Sequence, residues 1–203
     1  MAGGEAGNGN GVKVLFTNAQ SIVNKIDELR ALVTDLRPEV IALTETWTND
    51  GVGNEFLQLK GYEIISRSDR NDTDRGRGGG VMAYVRNDLN ARNLEVNTTF
   101  NQCVSMSLKC RGEDVQVHVV YRSPNSNSIN DGALIEWLKE MRGNSVIIGD
   151  FNFPDVDWEN GIAGSKGRAF LEATMELGME QYVEEPTHTS GNILDLILVI
   201  KKD

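Results

Sequence analysis

Three short, strongly apolar runs in this chain each end on an amide or an acid. Val14-Leu15-Phe16-Thr17 runs into Asn18, Val40-Ile41-Ala42-Leu43-Thr44 into Glu45, and Val146-Ile147-Ile148-Gly149 into Asp150, Phe151 and Asn152. Runs this apolar read as strands covered on both faces. A polar group at the mouth of such a strand is partly desolvated and costly unless something pairs with it. Read singly, each end is as good a cap or turn as a functional residue; three in one domain point to a site. A divalent cation is a natural partner, because Mg2+ takes oxygen ligands and keeps several of its waters.

The rest of the chain supplies covering helices and further strands. Ile22, Ile26, Leu29, Val33 and Leu36 recur at helical spacing, and Pro38 closes that helix. Residues 62–66, 81–86, 104–108 and 115–121 alternate or are rich in β-formers, with Gly, Asn and Asp between them. A second helix is expected over 131–142 and a strand over 145–148. A third helix carries Phe170, Leu171, Met175 and Leu177, with Ser165 as its cap. Strands at 182–183 and 193–200 close the chain. The expected architecture is one α/β domain over residues 12–203, with two sheets flanked by helices, behind a flexible tail at residues 1–11 that holds five Gly.

Composition narrows the function. The 203 residues carry 30 Asp+Glu against 20 Lys+Arg, a net charge of −10, which weakens nonspecific electrostatic binding to nucleic acid. It leaves room for an enzyme that meets phosphate through a bound cation. Cys103 and Cys110 are an odd number of residues apart in one expected strand and so face opposite ways, which excludes a disulfide framework. No apolar run reaches transmembrane length and residues 1–5 form no signal core, so an intracellular location is expected, nuclear for action on DNA.

Other candidates stand apart from the three strand ends. Asp195 is the one acid in Ile193-Leu194-Asp195-Leu196-Ile197-Leu198-Val199-Ile200. Its alternatives are a site residue or a partner for backbone groups at a bulge. Tyr121-Arg122-Ser123-Pro124 ends a strand with a hydroxyl and a cation, either a turn or a phosphate contact. In Arg75-Gly76-Arg77-Gly78-Gly79-Gly80 the glycines allow close backbone approach and the arginines suit phosphate. Residues 66–92 hold six Arg and four Asp, a local reversal of the overall charge that fits a DNA-facing loop or an exposed turn.

In order along the chain, Asn18, Thr44-Glu45-Thr46-Trp47, Arg77-Gly78-Gly79-Gly80-Val81, Tyr121-Arg122-Ser123-Pro124, Gly149-Asp150-Phe151-Asn152 and Asn192-Ile193-Leu194-Asp195-Leu196 form a set. It resembles the endonuclease/exonuclease/phosphatase superfamily, specifically the endonuclease domain of non-LTR retrotransposons. Phe153-Pro154-Asp155-Val156-Asp157-Trp158 and Pro186-Thr187-His188 add to the retrotransposon likeness. The resemblance implies a four-layered α/β sandwich of two mainly antiparallel sheets with the site at one end. It implies a DNA endonuclease with Mg2+ (or Mn2+) as cofactor, DNA as partner and a reverse transcriptase domain in the source polyprotein. It implies that Glu45 and Asn18 hold the metal, with Asn18 also near the phosphate. Tyr121 and Asn152 would hold the scissile phosphate, Asp150 would move a proton or position water, and Asp195 would orient a histidine. Thr187, Arg77 and Arg122 would contact substrate.

The family pattern continues past Asp195 into a Ser-Asp-His segment and a last strand, whereas this sequence reads Lys201-Lys202-Asp203. The domain is accordingly expected to lack its last strand, to be impaired in cleavage, and to self-associate through the strand left bare. The alternative is a catalytically inactive remnant that binds nucleic acid or protein. His118, three residues before Tyr121, is expected on the opposite sheet surface; His188 lies in a loop beside Thr187 without an assigned role.

Overall fold

The computed structural model describes residues 11–69 and 78–201. Most of the expected tail, and Arg77 with its neighbours in 70–77, lie outside the described residues. In chain order the first elements are β1 (Val14–Asn18), α1 (Ile22–Leu36), β2 (Val40–Thr44), β3 (Tyr62–Ser68), β4 (Val81–Arg86) and β5 (Arg92–Asn93). Then come β6 (Cys103–Cys110), β7 (Glu113–Tyr121), α2 (Ser128–Glu140), β8 (Ser145–Asp150), β9 (Val156–Asp157) and β10 (Ile162–Ala163). The last are α3 (Arg168–Glu176), β11 (Glu180–Gln181) and β12 (Asp195–Ile200).

Two sheets carry the domain, one ordered β1-β2-β4-β3 and the other β11-β12-β8-β7-β6-β5. Each contains one parallel pair, β1 with β2 and β7 with β8. A parallel pair needs a crossover connection, here α1 in one sheet and α2 in the other. Each crossover brings two strand C-termini to the same end of its sheet. In each sheet a third strand then starts at that end and runs back, β4 against β2 and β12 against β8. The registers align Asn18, Thr44 and Val81 in one sheet, and Tyr121, Asp150 and Asp195 in the other.

Burial sorts the layers into the expected four-layered sandwich. Ile22, Ile26, Leu29 and Val33 of α1 pack with Ile41, Leu43, Met82 and Tyr84 on the outer face of the first sheet. Val40, Ala42, Val81, Ala83 and Val85 meet Val104, Met106, Val117, Val119 and Ile148 between the sheets. Leu134, Trp137 and Leu138 of α2, with Phe170 and Leu171 of α3, cover Val120, Ile147, Leu196 and Leu198 on the outer face of the second sheet.

Several local expectations change. Helix α2 begins at Ser128, because Asn127 caps it by accepting from Asn130 N–H at 2.9 Å. Ser165 does not cap α3, whose N-cap position is Gly167 without a side-chain cap; Asp155 Oδ2 takes the Lys166 and Gly167 N–H groups just ahead of the helix at 3.0 and 3.2 Å. The penultimate strand is Glu180–Gln181, two residues ahead of 182–183. The last strand starts at Asp195 instead of residue 193, since Thr187 Oγ1 accepts the N–H groups of both Leu194 and Asp195. One flank of β12 is covered throughout by β8, and the other by β11 at Leu198 and Val199.

Candidate active site

The strand ends meet at one mouth because the sheets face each other with their parallel pairs in the same sense. Side-chain hydrogen bonds cross from sheet to sheet there. Tyr121 Oη donates to Glu45 Oε1, and Asn18 Nδ2 donates to Asp150 Oδ2 at 3.1 Å. Glu45 Oε2 accepts from Trp47 Nε1 and from Gly79 N–H, the latter at 3.1 Å. Asp195 sits beside Asp150 across the β8–β12 register. Asn18, Glu45, Tyr121, Asp150 and Asp195 are thus brought together.

The backbone is strained where these residues turn out of their strands. Among the described non-glycine residues, eight have positive φ, and five of them follow β1, β2 or β8: Gln20, Ser21, Glu45 (53°), Trp47 (54°) and Asn152 (50°). Left-handed backbone costs a side-chain-bearing residue about 1–3 kcal/mol and gathers where function demands it. Two glycines are fixed by the same crowding. A Cβ at Gly149 would overlap the Val120 carbonyl, and one at Gly80, where φ is +89°, would overlap the Thr46 hydroxyl.

Electrostatics sharpen the picture. Burial pushes the Asp150 carboxyl up to about 7, and the negative charges of Asp195 and Glu45 add to it against the hydrogen bond from Asn18 and the neighbouring Asn152 amide. Asp195 is likewise raised by burial, offset by Thr187 and by the nearby His188. The Tyr121 hydroxyl is held protonated by burial and by its bond to Glu45. Asn18 Oδ1 and Asp150 Oδ1 are buried without any hydrogen-bond donor. Among the described residues no three His, Cys, Asp or Glu side chains converge on one point. An ion that takes one or two carboxylates, an amide oxygen and its own waters fits this donor set; one that needs a cage of protein ligands does not.

The sequence pattern of the Endonuclease/Exonuclease/phosphatase family matches residues 8–199. The chain belongs to this family. As a member of this nuclease and phosphatase family it is a phosphoester hydrolase. No curated protein matches the sequence. Solved structures with the same fold include the endonuclease domain of TRAS1, a telomere-specific non-LTR retrotransposon. It is 16% identical, with a TM-score of 0.70 over 93% of this chain and 84% of that one. The AP endonuclease LMAP from Leishmania major is 14% identical with a TM-score of 0.69, covering 93% of this chain and 79% of that one. The 3'-5' exonuclease NExo from Neisseria meningitidis is 18% identical with a TM-score of 0.65, covering 93% and 86%.

Other candidates from the sequence lie differently in this family member. Arg122 does not point into the mouth: it is 3% exposed, and all its donors turn inward. Nε and Nη2 fork onto Asp131 at 2.7 and 2.9 Å, Nη1 reaches the Asn152 carbonyl at 2.7 Å, and Cζ lies 3.9 Å above the Phe153 ring. The reason is its place at the root of α2, where the helix presents Asp131. Asn152 donates through Nδ2 to the Arg122 carbonyl at 2.9 Å. Thr187 is exposed and braces the start of β12. His118 faces away from Tyr121 as its spacing requires, but α2 covers it: it is 4% exposed, bonded through Nδ1 to Ser105 Oγ at 2.7 Å, with Trp137 edge-on at 5.4 Å. Burial lowers its pKa to about 4. Trp47, part of the Thr44-Glu45-Thr46-Trp47 motif but without a site role expected from it, joins the site through Glu45; its position directly after Glu45-Thr46 is the signal for it in the sequence.

Proposed function

We propose that this phosphoester hydrolase is a DNA endonuclease of the retrotransposon target-nicking type, with Mg2+ as its cofactor. The reading is carried by the two donor-less buried oxygens, Asn18 Oδ1 and Asp150 Oδ1, in a mouth that also holds Glu45. Glu45 and Asn18 would hold the ion. When bound, it would polarise the phosphate and make a bound water more acidic. The remaining chemistry belongs to the chain's own residues. Asp150, poised near neutrality, is suited to take the proton of the attacking water as its oxygen bonds to phosphorus and one P–O ester bond breaks, the leaving deoxyribose oxygen taking a proton from solvent. Tyr121, always protonated, is a hydrogen-bond donor that could turn from Glu45 to a phosphate oxygen. Asn152, beside Asp150, would hold the phosphate from the other side, and Thr187 would contact substrate through its hydroxyl. Asp195 would orient an imidazole.

Purified chain with supercoiled plasmid and Mg2+ tests this. Nicking that stops with chelator and in Glu45→Ala is the expected result; an intact plasmid with both Mg2+ and Mn2+ overturns it. A second reading, a DNA-binding module without turnover, is favoured by one observation: both Glu45 oxygens already accept hydrogen bonds. It would show as DNA binding without nicking. Hydrolysis of a phosphomonoester with the plasmid spared would assign the chain to the phosphatases. Acting on DNA, the protein would work in the nucleus, with a reverse transcriptase as the partner domain of its source polyprotein. Association through β12 would appear as concentration-dependent mass in light scattering.

A further inference from the structure

We infer that Trp47 is a stacking platform for a nucleobase flanking the phosphate at the mouth, an inference that rests on the nucleic-acid reading above. Trp47 is 37% exposed, whereas the core tryptophan, Trp137, is 5% exposed. Of the large apolar side chains exposed among the described residues, Trp47 is the one bonded to a residue of the mouth, through Nε1 to Glu45 Oε2. An indole anchored by its N–H edge to that carboxylate stands beside the place where a phosphate would be held.

The loop around it is built to hold the ring outward. Thr46 and Thr48 on either side are buried and bonded to each other at 3.1 Å, and Thr48 Oγ1 donates to Asp69 Oδ1 at 2.6 Å. Arg67 grips Asp69 and also donates to the carbonyls of Asn49 and Val52 at 2.9 and 2.8 Å. Trp47 N–H is tied to the Gly79 carbonyl at 3.0 Å, with the residue held at φ 54°. A turn that needed only a donor for Glu45 could use a short polar side chain, which tolerates left-handed backbone better than an indole does. Fixing a bulky ring outward at that cost makes sense if the ring itself is used. Because it is already ordered, it loses little freedom on binding.

The geometry also defines the substrate class. A base inside an intact duplex has both faces occupied by its neighbours. A base that lies on Trp47 must have left that stack, so the preferred ligand has unpaired or easily unstacked nucleotides beside the scissile phosphate.

The test uses fluorescein-labelled oligonucleotides with phosphorothioate linkages, which resist cleavage, in anisotropy titrations with Mg2+ at low ionic strength. The Trp47→Ala substitution is expected to weaken binding of a single-stranded or mismatched oligonucleotide by about 5- to 150-fold, the range of base–aromatic stacking. Trp47→Phe, which keeps a ring and loses the N–H, is expected to stay within about threefold of wild type. The loss in Trp47→Ala should be smaller on fully paired duplex. Unlabelled oligonucleotide should also quench wild-type tryptophan emission, and the quench should vanish in Trp47→Phe, a readout that needs no truncated side chain. Wild-type affinity in Trp47→Ala overturns the inference alone. So does a loss in Trp47→Phe as deep as that in Trp47→Ala, which would leave only the bond to Glu45. Absence of oligonucleotide binding by the wild type overturns the inference together with the nucleic-acid reading beneath it.

Discussion

Arg122 and Asp150 are two buried ionisable groups at the ends of adjacent strands, joined by a backbone hydrogen bond of 2.8 Å from Arg122 N–H to the Asp150 carbonyl, and they live under opposite rules. Around Arg122, a carboxylate, a backbone carbonyl and an aromatic face meet the guanidinium. Around Asp150, one oxygen has a single amide donor at 3.1 Å, the other has none, and two further acids stand nearby. Burying a charge is costly in both places. At Arg122 the protein itself supplies the compensation, so the residue fastens α2 to the end of β8. At Asp150 the described side chains supply only part of it. A complete set of partners marks structure, and an incomplete one marks a site.

The largest expected effect breaks the comparison on its functional side. If Asp150 moves the proton, Asp150→Asn lowers plasmid nicking by ~10²- to 10⁴-fold, while circular dichroism shows the fold intact. Activity within tenfold of wild type would remove Asp150 from the chemistry.

Next comes the structural side. Arg122→Met leaves the half-buried Asp131 and the Asn152 carbonyl without their donor and is expected to destabilise the domain by about 1–3 kcal/mol, measured by urea denaturation. Arg122→Lys should restore little, because an ammonium cannot fork onto a carboxylate. If Arg122→Met instead kept full stability and lost activity, Arg122 would have to be returned to the substrate.

A smaller effect is a stability gain at the site. The folded-state pKa of Asp150 is raised to about 7 from its ordinary value of 3.8. Its favourable contribution is therefore complete below about pH 4 and is lost as pH rises through 7. Asp150→Asn, which cannot ionise, should melt a few degrees above wild type at pH 8, ~1–2 kcal/mol. The two melting curves should converge toward pH 4. A constant offset across that range would show that ionisation of Asp150 is not the cause.

The smallest effect comes from the ion. Mg2+ at ten times its dissociation constant should add about 1.4 kcal/mol to wild-type stability, and clearly less to Glu45→Gln, in thermal melts at pH 8. Equal shifts in both proteins would detach Glu45 from the metal.

The sequence made one side of this comparison more visible than the other. The mouth was legible because strands covered on both faces appear as continuous apolar runs, and an acid at the end of such a run stands out, as at Glu45 and Asp150. Parity along a strand also read correctly: His118 and Tyr121 face opposite ways, and Cys103 and Cys110 divide between the outer and inner faces of the second sheet. The Arg122 fastening was not legible, since its partner Asp131 lies nine residues on, across a turn whose path only folding fixes. The approach to α3 was hidden for the same reason: Asp155 holds its backbone from another segment, while nearby Ser165 looked sufficient as a cap. The start of β12 depended on Thr187, eight residues upstream of Asp195. Periodicity reports which face a side chain takes, and it is silent about partners brought by a loop.

Hydrogen bonds run from sheet to sheet across the mouth, so its span is set by whatever lies between the sheets. Ala42 and Ala83 are partners across β2 and β4, both fully or almost fully buried, and they are among the smallest side chains in that layer. A close-packed interior transmits a change of thickness instead of absorbing it. The layer thus acts as a spacer gauge, holding Tyr121 within reach of Glu45 and Asn18 within reach of Asp150 from inside the molecule.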